Sequence, residues 1–188
     1  MSKSPAIDDF NVVQELNVGL SATQFWERFF QDGAEFGFEK FMTELGNKRC
    51  VMSPWEEAKG GEESTIQGHT AIKMRTLDLV AIVKNNPLVS EAPTTKTYYL
   101  IEQSETKLHI FSRNNTREVP YCDTFQLIDE YIFFSPEPSS QPVIKSGVLR
   151  MSYRVDWLKR TIMKSLITSN VDSETKSIIT SYADMYIR

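Results

Sequence analysis

Two cysteines and two histidines are all that this 188-residue chain holds of the side chains that most often bind metals or titrate near neutral pH. Cys50 and Cys122 lie far apart, and a disulfide framework would need more of them. They are expected to be reduced thiols in a cytoplasmic protein. His69 and His109 each sit in a strand-like stretch with no acid or nucleophile at a suggestive spacing. The sequence lacks C-x-x-C, H-E-x-x-H, G-x-S-x-G, a P-loop and G-x-G-x-x-G, so neither a metal nor a nucleotide cofactor is expected. A Cys122/His dyad is the one conceivable catalytic pairing, and a lone pairing of this kind is a weak signal. A basic surplus is missing too: 21 Lys and Arg stand against 25 Asp and Glu, for a net charge of −4. This argues against nucleic-acid binding. No run approaches the roughly 18 apolar residues of a membrane span. Met1 to Pro5 lacks the apolar core of a secretory leader.

What is present is a well-patterned globular chain. Hydrophobic residues make up 40% and aromatics 11%, too many for disorder. A single domain over 9–188 is expected, after a flexible segment 1–8. Residues 9–20 alternate as a strand, with Phe10, Val12, Leu16, Val18 and Leu20 on one parity. Ser21 followed by Gln24 reads as a capping box. Phe25, Trp26, Phe29 and Phe30 then show helical spacing, and a second short helix covers Phe38 to Leu45, with Gly46 as its C-cap. Strands are predicted at 48–55, 65–83, 96–103, 107–113, 123–135 and 146–157. In 65–83 the apolar parity switches from Ile66, Ile72 and Met74 to Leu77, Leu79 and Val83, which predicts a bulge near Arg75. From about Thr161 the pattern becomes helical, with Ile162, Leu166, Ile167, Val171, Ile178, Tyr182, Met185 and Tyr186 on one stripe and a kink expected at Val171-Asp172-Ser173.

An antiparallel meander with one wet face must cover its dry face, and the terminal helix is the only large apolar element available for this. The expected fold is α+β of the helix-grip kind: about six to seven curved antiparallel strands around a long C-terminal helix, with two short N-terminal helices. Asn114-Asn115-Thr116 reads as a polar turn, and Glu56-Glu57 and Glu62-Glu63 as solvated surface. The loop from Asn85 to Pro93 stands out because Leu88 and Val89 interrupt a polar connection. They either tuck into the core or form an apolar tip at a binding site.

Several landmarks resemble a known family. In order they are Phe25-Trp26-Glu27-Arg28-Phe29-Phe30, Ser53-Pro54-Trp55, Arg75, Asn86-Pro87-Leu88 with Thr94 to Thr97, Val119 to Phe125, Val155-Asp156-Trp157-Leu158-Lys159 and Lys164-Ser165-Leu166-Ile167. The ordered set resembles the VASt domain, the lipid-transfer module of the Aster and Lam/Ltc sterol transporters, related to StAR-type START domains. The resemblance implies a cavity that holds one sterol or similar lipid, with the Asn86-Pro87-Leu88 loop as its lid. It also implies transient membrane contact, action as a monomer and a place at membrane contact sites. Full-length relatives add a GRAM domain and a membrane anchor. Two departures stand out. Val89-Ser90 replaces the Gly-Pro that often follows the family's Asn-Pro-Leu, and extra residues lie between Trp55 and Arg75, around Gly60-Gly61 to Thr70.

The residues expected to touch lipid are Asn86, Pro87, Leu88 and Val89 of the lid, Phe125 and Leu127, the dry face of the last strand (Leu149, Met151, Tyr153, Val155) and Ile162, Leu166 and Ile167 of the helix. Ordinary core packing is an equal reading of each one alone. Two other functions stay open: a helix-grip enzyme of cyclase type using His109 or Asp129, and a protein-binding module with a filled core.

Overall fold

A computed structural model of the chain describes residues 10–83, 89–135 and 147–187. Strand β1 (Asn11–Val18) leads to the short helix α1 (Ala22–Phe25). Its cap is the expected reciprocal pair: Gln24 N–H donates to Ser21 Oγ at 3.2 Å, and Ser21 N–H donates to Gln24 Oε1 at 2.9 Å. A π turn at Trp26–Phe30 follows directly. This wider turn lets Phe25, Phe29 and Phe30 all bury on one side, each 1% exposed or less. Helix α2 (Phe38–Glu44) closes in a Schellman motif. Asn47 N–H donates to the Met42 carbonyl and Gly46 N–H to that of Thr43. Gly46 takes the left-handed backbone (φ +91°) that this motif needs.

The strands β2 (Lys48–Met52), β3 (Glu56–Glu57), β4 (Thr65–Ile66), β5 (His69–Thr70), β6 (Lys73–Ile82), β7 (Glu91–Gln103), β8 (Lys107–Thr116), β9 (Phe125–Phe134) and β10 (Gly147–Trp157) come next, and helix α3 (Lys164–Ile187) ends the chain. Eight strands form one antiparallel sheet in the order β1-β10-β9-β8-β7-β6-β2, with β3 beside β6. The architecture is α+β helix-grip, with both short helices and α3 on one face. That inner face supplies Leu77, Leu79, Tyr98, Leu100, Leu108, Ile110, Tyr131, Phe133, Leu149, Met151 and Tyr153 to the core. Against them pack Phe25, Phe29, Phe30, Phe38, Phe41 and Met42 from the N-terminal helices, and Ile179, Tyr182 and Ala183 from the second half of α3. The Phe38 and Tyr182 rings lie 4.1 Å apart between centroids, and Phe41 and Tyr182 4.7 Å.

Three local expectations are corrected. β6 runs through Arg75 without a bulge, in unbroken register with β7 from Lys73↔Leu100 to Ile82↔Glu91. The parity switch has another cause. Ile66 and Met74 belong to an apolar cluster on the outer face, whereas Arg75, Leu77 and Leu79 point inward. Helix α3 starts at Lys164, not Thr161, and continues through Val171-Asp172-Ser173 without a break. The kink signal fails because the Asp172 carboxylate is engaged elsewhere than on a cap: it accepts hydrogen bonds from Tyr153 and Lys176.

The extra residues between Trp55 and Arg75 cover the outer face. β4 and β5 form a hairpin whose two-residue turn, Gln67-Gly68, has both φ values positive (+51° and +78°), the backbone that hairpin twist favours. Ile66 and Ala71 pack on Tyr99, Phe111 and Ile128. Gln67 Nε2 donates to Asp156 Oδ2 at 2.8 Å, and Arg113 donates to the Thr65 carbonyl at 3.3 Å. His69 lies edge-on to His109 at 5.4 Å between centroids. Beneath it His109 Nε2 meets Glu130 Oε1 at 3.0 Å, and Ser152 Oγ donates to Glu130 Oε2 at 2.9 Å.

Two predictions follow from this packing. A Cβ at Gly147 would fall inside the Phe133 ring, which is itself stacked on Phe25 at 4.5 Å. Gly147→Ala is therefore expected to cost about 1–3 kcal/mol by overpacking, read by chemical denaturation. The second concerns pH. Burial, with the neighbouring His109 and Lys107 and against the pull of Glu130, holds His69 below its ordinary value of 6.5. The unfolded chain then binds more protons than the folded one. The stabilisation is complete above pH 6.5 and is lost as pH falls from there through the depressed value. Hydrogen-exchange protection in residues 58–71, corrected for the intrinsic rate at each pH, is expected to fall over that range, and a His69→Gln variant to lose the pH dependence.

Candidate functional site

The first half of α3 does not pack into the core as its second half does. Between it and the sheet lies a cavity of about 620 Å³, within the roughly 300–1,000 Å³ usual for small-molecule sites. One wall is sheet: Asn114 to Thr116 at the end of β8, and Phe125, Gln126 and Leu127 at the start of β9. A second is α3 with the segment before it: Leu158, Met163, Leu166, Ile167, Asn170, Val171, Glu174, Thr175 and Ile178. Ala81, Ile82 and Val83 border a third side, and the turn Val119–Asp123 forms the rim. The lining is mostly apolar, with a few polar groups.

That rim is firmly built. Thr124 Oγ1 donates to the Tyr121 carbonyl at 2.7 Å and Cys122 N–H to that of Val119 at 3.1 Å. The Thr124 carbonyl accepts from the N–H groups of Leu158 at 2.8 Å and Lys159 at 3.2 Å, which ties the segment before α3 to the turn. Lys159 Nζ donates to Asp123 Oδ2 at 2.5 Å, and this bond holds the Asp123 carboxyl below its usual range.

The inner end of the cavity is polar. Asn114 lines it and donates to Asp129 Oδ2 at 3.0 Å. The same oxygen accepts from Lys96 Nζ at 3.0 Å and from Ser112 Oγ at 2.8 Å. Lys96 and Asp129 are both buried, at 6% and 4% exposed. Burial alone would lower the Lys96 ammonium; the adjacent Asp129 charge more than offsets this and holds it above its ordinary value. Burial pushes the phenols of Tyr98 and Tyr131 up, so both stay neutral. His109 and Asp129 lie on opposite faces of the sheet, one meeting Glu130 beneath the hairpin and the other meeting Lys96 in the core. The two do not converge as an acid/base pair.

The residues expected to touch lipid divide into groups. Phe125, Leu127, Leu166 and Ile167 meet at the cavity. Leu149 and Met151 do not reach it, since both are fully enclosed by β1, β9 and the aromatic helices. Tyr153 and Val155 border a separate cleft of about 510 Å³ on the other side of α3, with Trp157, Lys164, Thr168 and Asp172. Tyr153 donates to Asp172, pinning α3 to β10, and burial followed by that bond pushes its phenol well up. Ile162 is 99% exposed, because the chain before Lys164 is not yet helical. Val89 is half-buried; Asn86, Pro87 and Leu88 lie outside the described residues. Asn114, Leu158 and Met163 also line the cavity without having been expected to touch lipid, and Asn114 to Thr116 end β8 where a polar turn was expected. Periodicity identifies the dry side of an element but not whether that side meets another element or a gap.

The model of a known family, the VAD1 Analog of StAR-related lipid transfer domain, matches residues 12–174. The chain belongs to the VASt family. Members are StAR-related lipid-transfer domains, so lipid binding is the general property of this family. No curated protein matches the chain at a significant level. The match runs from β1 into α3 as far as Glu174, and so spans all four sides of the cavity. In this VASt domain several of the scattered landmarks gather in two places. Trp26 and Trp55 lie 5.5 Å apart between centroids, the Arg75 guanidinium stacks 4.4 Å over Trp55, and Trp55 Nε1 donates to the Phe30 carbonyl at 2.7 Å. From the later landmarks, Val119 to Asp123 and Phe125 form the cavity rim and sheet wall, and Leu158, Leu166 and Ile167 the helix side, while Val155, Asp156 and Trp157 border the second cleft.

Replacing Lys96 alone by Met leaves Asp129 charged and buried, and is expected to cost about 3–5 kcal/mol. The double variant Lys96→Met with Asp129→Leu should recover most of that loss, because no unpaired charge remains. Thermal and chemical denaturation of the three proteins checks the order.

Proposed function

We propose that this VASt domain takes up one sterol or similar hydrophobic lipid in the cavity beneath α3 and carries it between membranes without vesicles. The observation that carries the reading is the cavity itself, in a family of lipid-transfer domains. A lipid crossing water must expose several hundred Å² of apolar surface, a barrier on the order of 10 kcal/mol at about 25 cal/mol per Å². Phe125, Leu127, Leu158, Leu166, Ile167 and Ile178 offer an apolar surface in place of the bilayer interior. The amide of Asn114, backed by Asp129 and Lys96, offers a polar group at the inner end that can orient a lipid hydroxyl. In this reading the domain works as a monomer in the cytoplasm, where two membranes lie close. It calls for no cofactor, metal or covalent step.

The test is liposome-to-liposome transfer of a fluorescent sterol, with native mass spectrometry of the purified protein. Saturable binding of a single lipid is expected. Ile167→Trp, which fills the cavity, should reduce transfer about tenfold, equivalent to about 1.4 kcal/mol of lost binding. Absence of saturable binding for every lipid tried, or an Ile167→Trp variant as active as the parent, would sink the reading.

A further inference from the structure

We infer that the Nε–Nη2 edge of Arg75, with the Tyr98 phenol paired to it, is a buried binding site for a small inorganic anion such as chloride. Neither residue lines the lipid cavity, and the inference does not depend on the lipid-transfer reading.

Its basis is an unmatched buried charge. Arg75, Lys96, His109, Asp129 and Glu130 are the acidic and basic residues buried among the described residues. Four of them pair at 3.0 Å, Lys96 with Asp129 and His109 with Glu130. Arg75 is left over. Its side chain is 3% exposed, and the one carboxylate paired with it among the described residues, that of Asp32, stands 3.8 Å from Nη1. Asp32 is itself 54% exposed and accepts from the Trp55 N–H at 3.1 Å, so water and that amide share its charge. Burial holds the Arg75 guanidinium below its ordinary value, against the opposing pull of Tyr98 first and Asp32 second. At Lys96 the balance runs the other way. A buried charge without a close partner is costly.

The orphaned donors define where the partner sits. Arg75 Nε and Nη2 and the Tyr98 phenol oxygen are closed to solvent and have no hydrogen-bond partner among the described residues. In a guanidinium, Nε–H and the neighbouring Nη2–H point the same way and form the fork that grips an anion side-on. Nη1, which meets Asp32, lies on another edge. Arg113 and Arg150 also leave Nε without a partner, but each leaves that atom alone and not a whole edge. Arg75 and Tyr98 are direct partners across β6 and β7, and both side chains are buried. The guanidinium carbon lies 4.4 Å from the centroid of the Trp55 ring and 5.6 Å from that of Tyr98, so the two rings hold the fork in place. Donors from two side chains and an unmatched positive charge call for an anion; a water would leave the charge unmatched. Enclosure limits the anion to a few atoms.

The experiment is chemical denaturation of the full chain in sodium gluconate, chloride and bromide at equal concentrations, with anomalous diffraction from crystals grown in bromide. Relative to gluconate, chloride and bromide are expected to stabilise saturably, raising the folded-to-unfolded ratio about a hundredfold at 100 times Kd. Tyr98→Phe removes only the phenol O–H and should weaken chloride binding about tenfold. Arg75→Met removes the charge together with the fork and should lose the difference between the salts. If Arg75→Met does not fold, Tyr98→Phe decides alone. A bromide peak is expected beside Nε and Nη2. Equal stability of the parent in gluconate and chloride overturns the inference, as does a Tyr98→Phe variant with the parent's chloride affinity. An ordered water at the fork assigns the site to water only, and a bromide peak without a solution response assigns it to binding at crystal concentration only; either result overturns the inference.

Discussion

Tyr182 lies against Phe38 and Phe41, and this contact decides where α3 can go. It clamps the second half of the helix to α2, which is itself seated through Phe38 on Tyr98 and Tyr131. Once that end is fixed, a straight helix cannot also follow the inner face toward the start of β9 and the end of β6. The Tyr153–Asp172 bond holds it midway. Beyond that point the helix stands off, with space on both sides. The cavity is thus what remains when a large sheet is covered by one rigid helix and two short ones. Aromatic packing fills one end and leaves the other unfilled.

The sheet is two-sided in its chemistry. Its inner face mixes apolar bulk with a buried ion pair, Lys96–Asp129, whose carboxylate also accepts from Ser112 and Asn114. Its outer face would ordinarily be wet. Here a hairpin insertion gives it a second small core, with Ile66 and Ala71 above Tyr99, Phe111 and Ile128. Glu130 and His109 are consequently buried on the side away from the cavity. Two titratable groups that look similar in sequence, His109 and Asp129, end up serving different cores.

Much of this was legible in the sequence because it depends on local patterns. The Ser21–Gln24 box, the Gly46 cap, most of the alternating strands and the presence of a long terminal helix are properties of short stretches and formed as expected, whereas the stretch 65–83 divides into a hairpin and β6. What failed was knowledge of the partner across each face. The parity switch between Met74 and Leu77 marks an outer core, not a bulge, and that core depends on the hairpin across the face. Leu149 and Leu127 have the same strand pattern, yet one is enclosed by aromatic helices and the other faces a void. The void depends on where α3 is pinned, and no single stretch of sequence encodes that. Ile162 fits the helical stripe by spacing, but the helix begins at Lys164 and leaves it outside.

The three tryptophans give the fold an optical division. Trp26 and Trp55 form a coupled pair beside a guanidinium, far from the cavity in both sequence and role. Trp157 stands apart at the end of β10, 5.9 Å from Phe125 of the cavity wall and under the Lys164 ammonium. Emission from the first two reports on the integrity of the core. Emission from the third reports on the surroundings of the rim, so one unlabelled protein carries a built-in reference and a built-in probe.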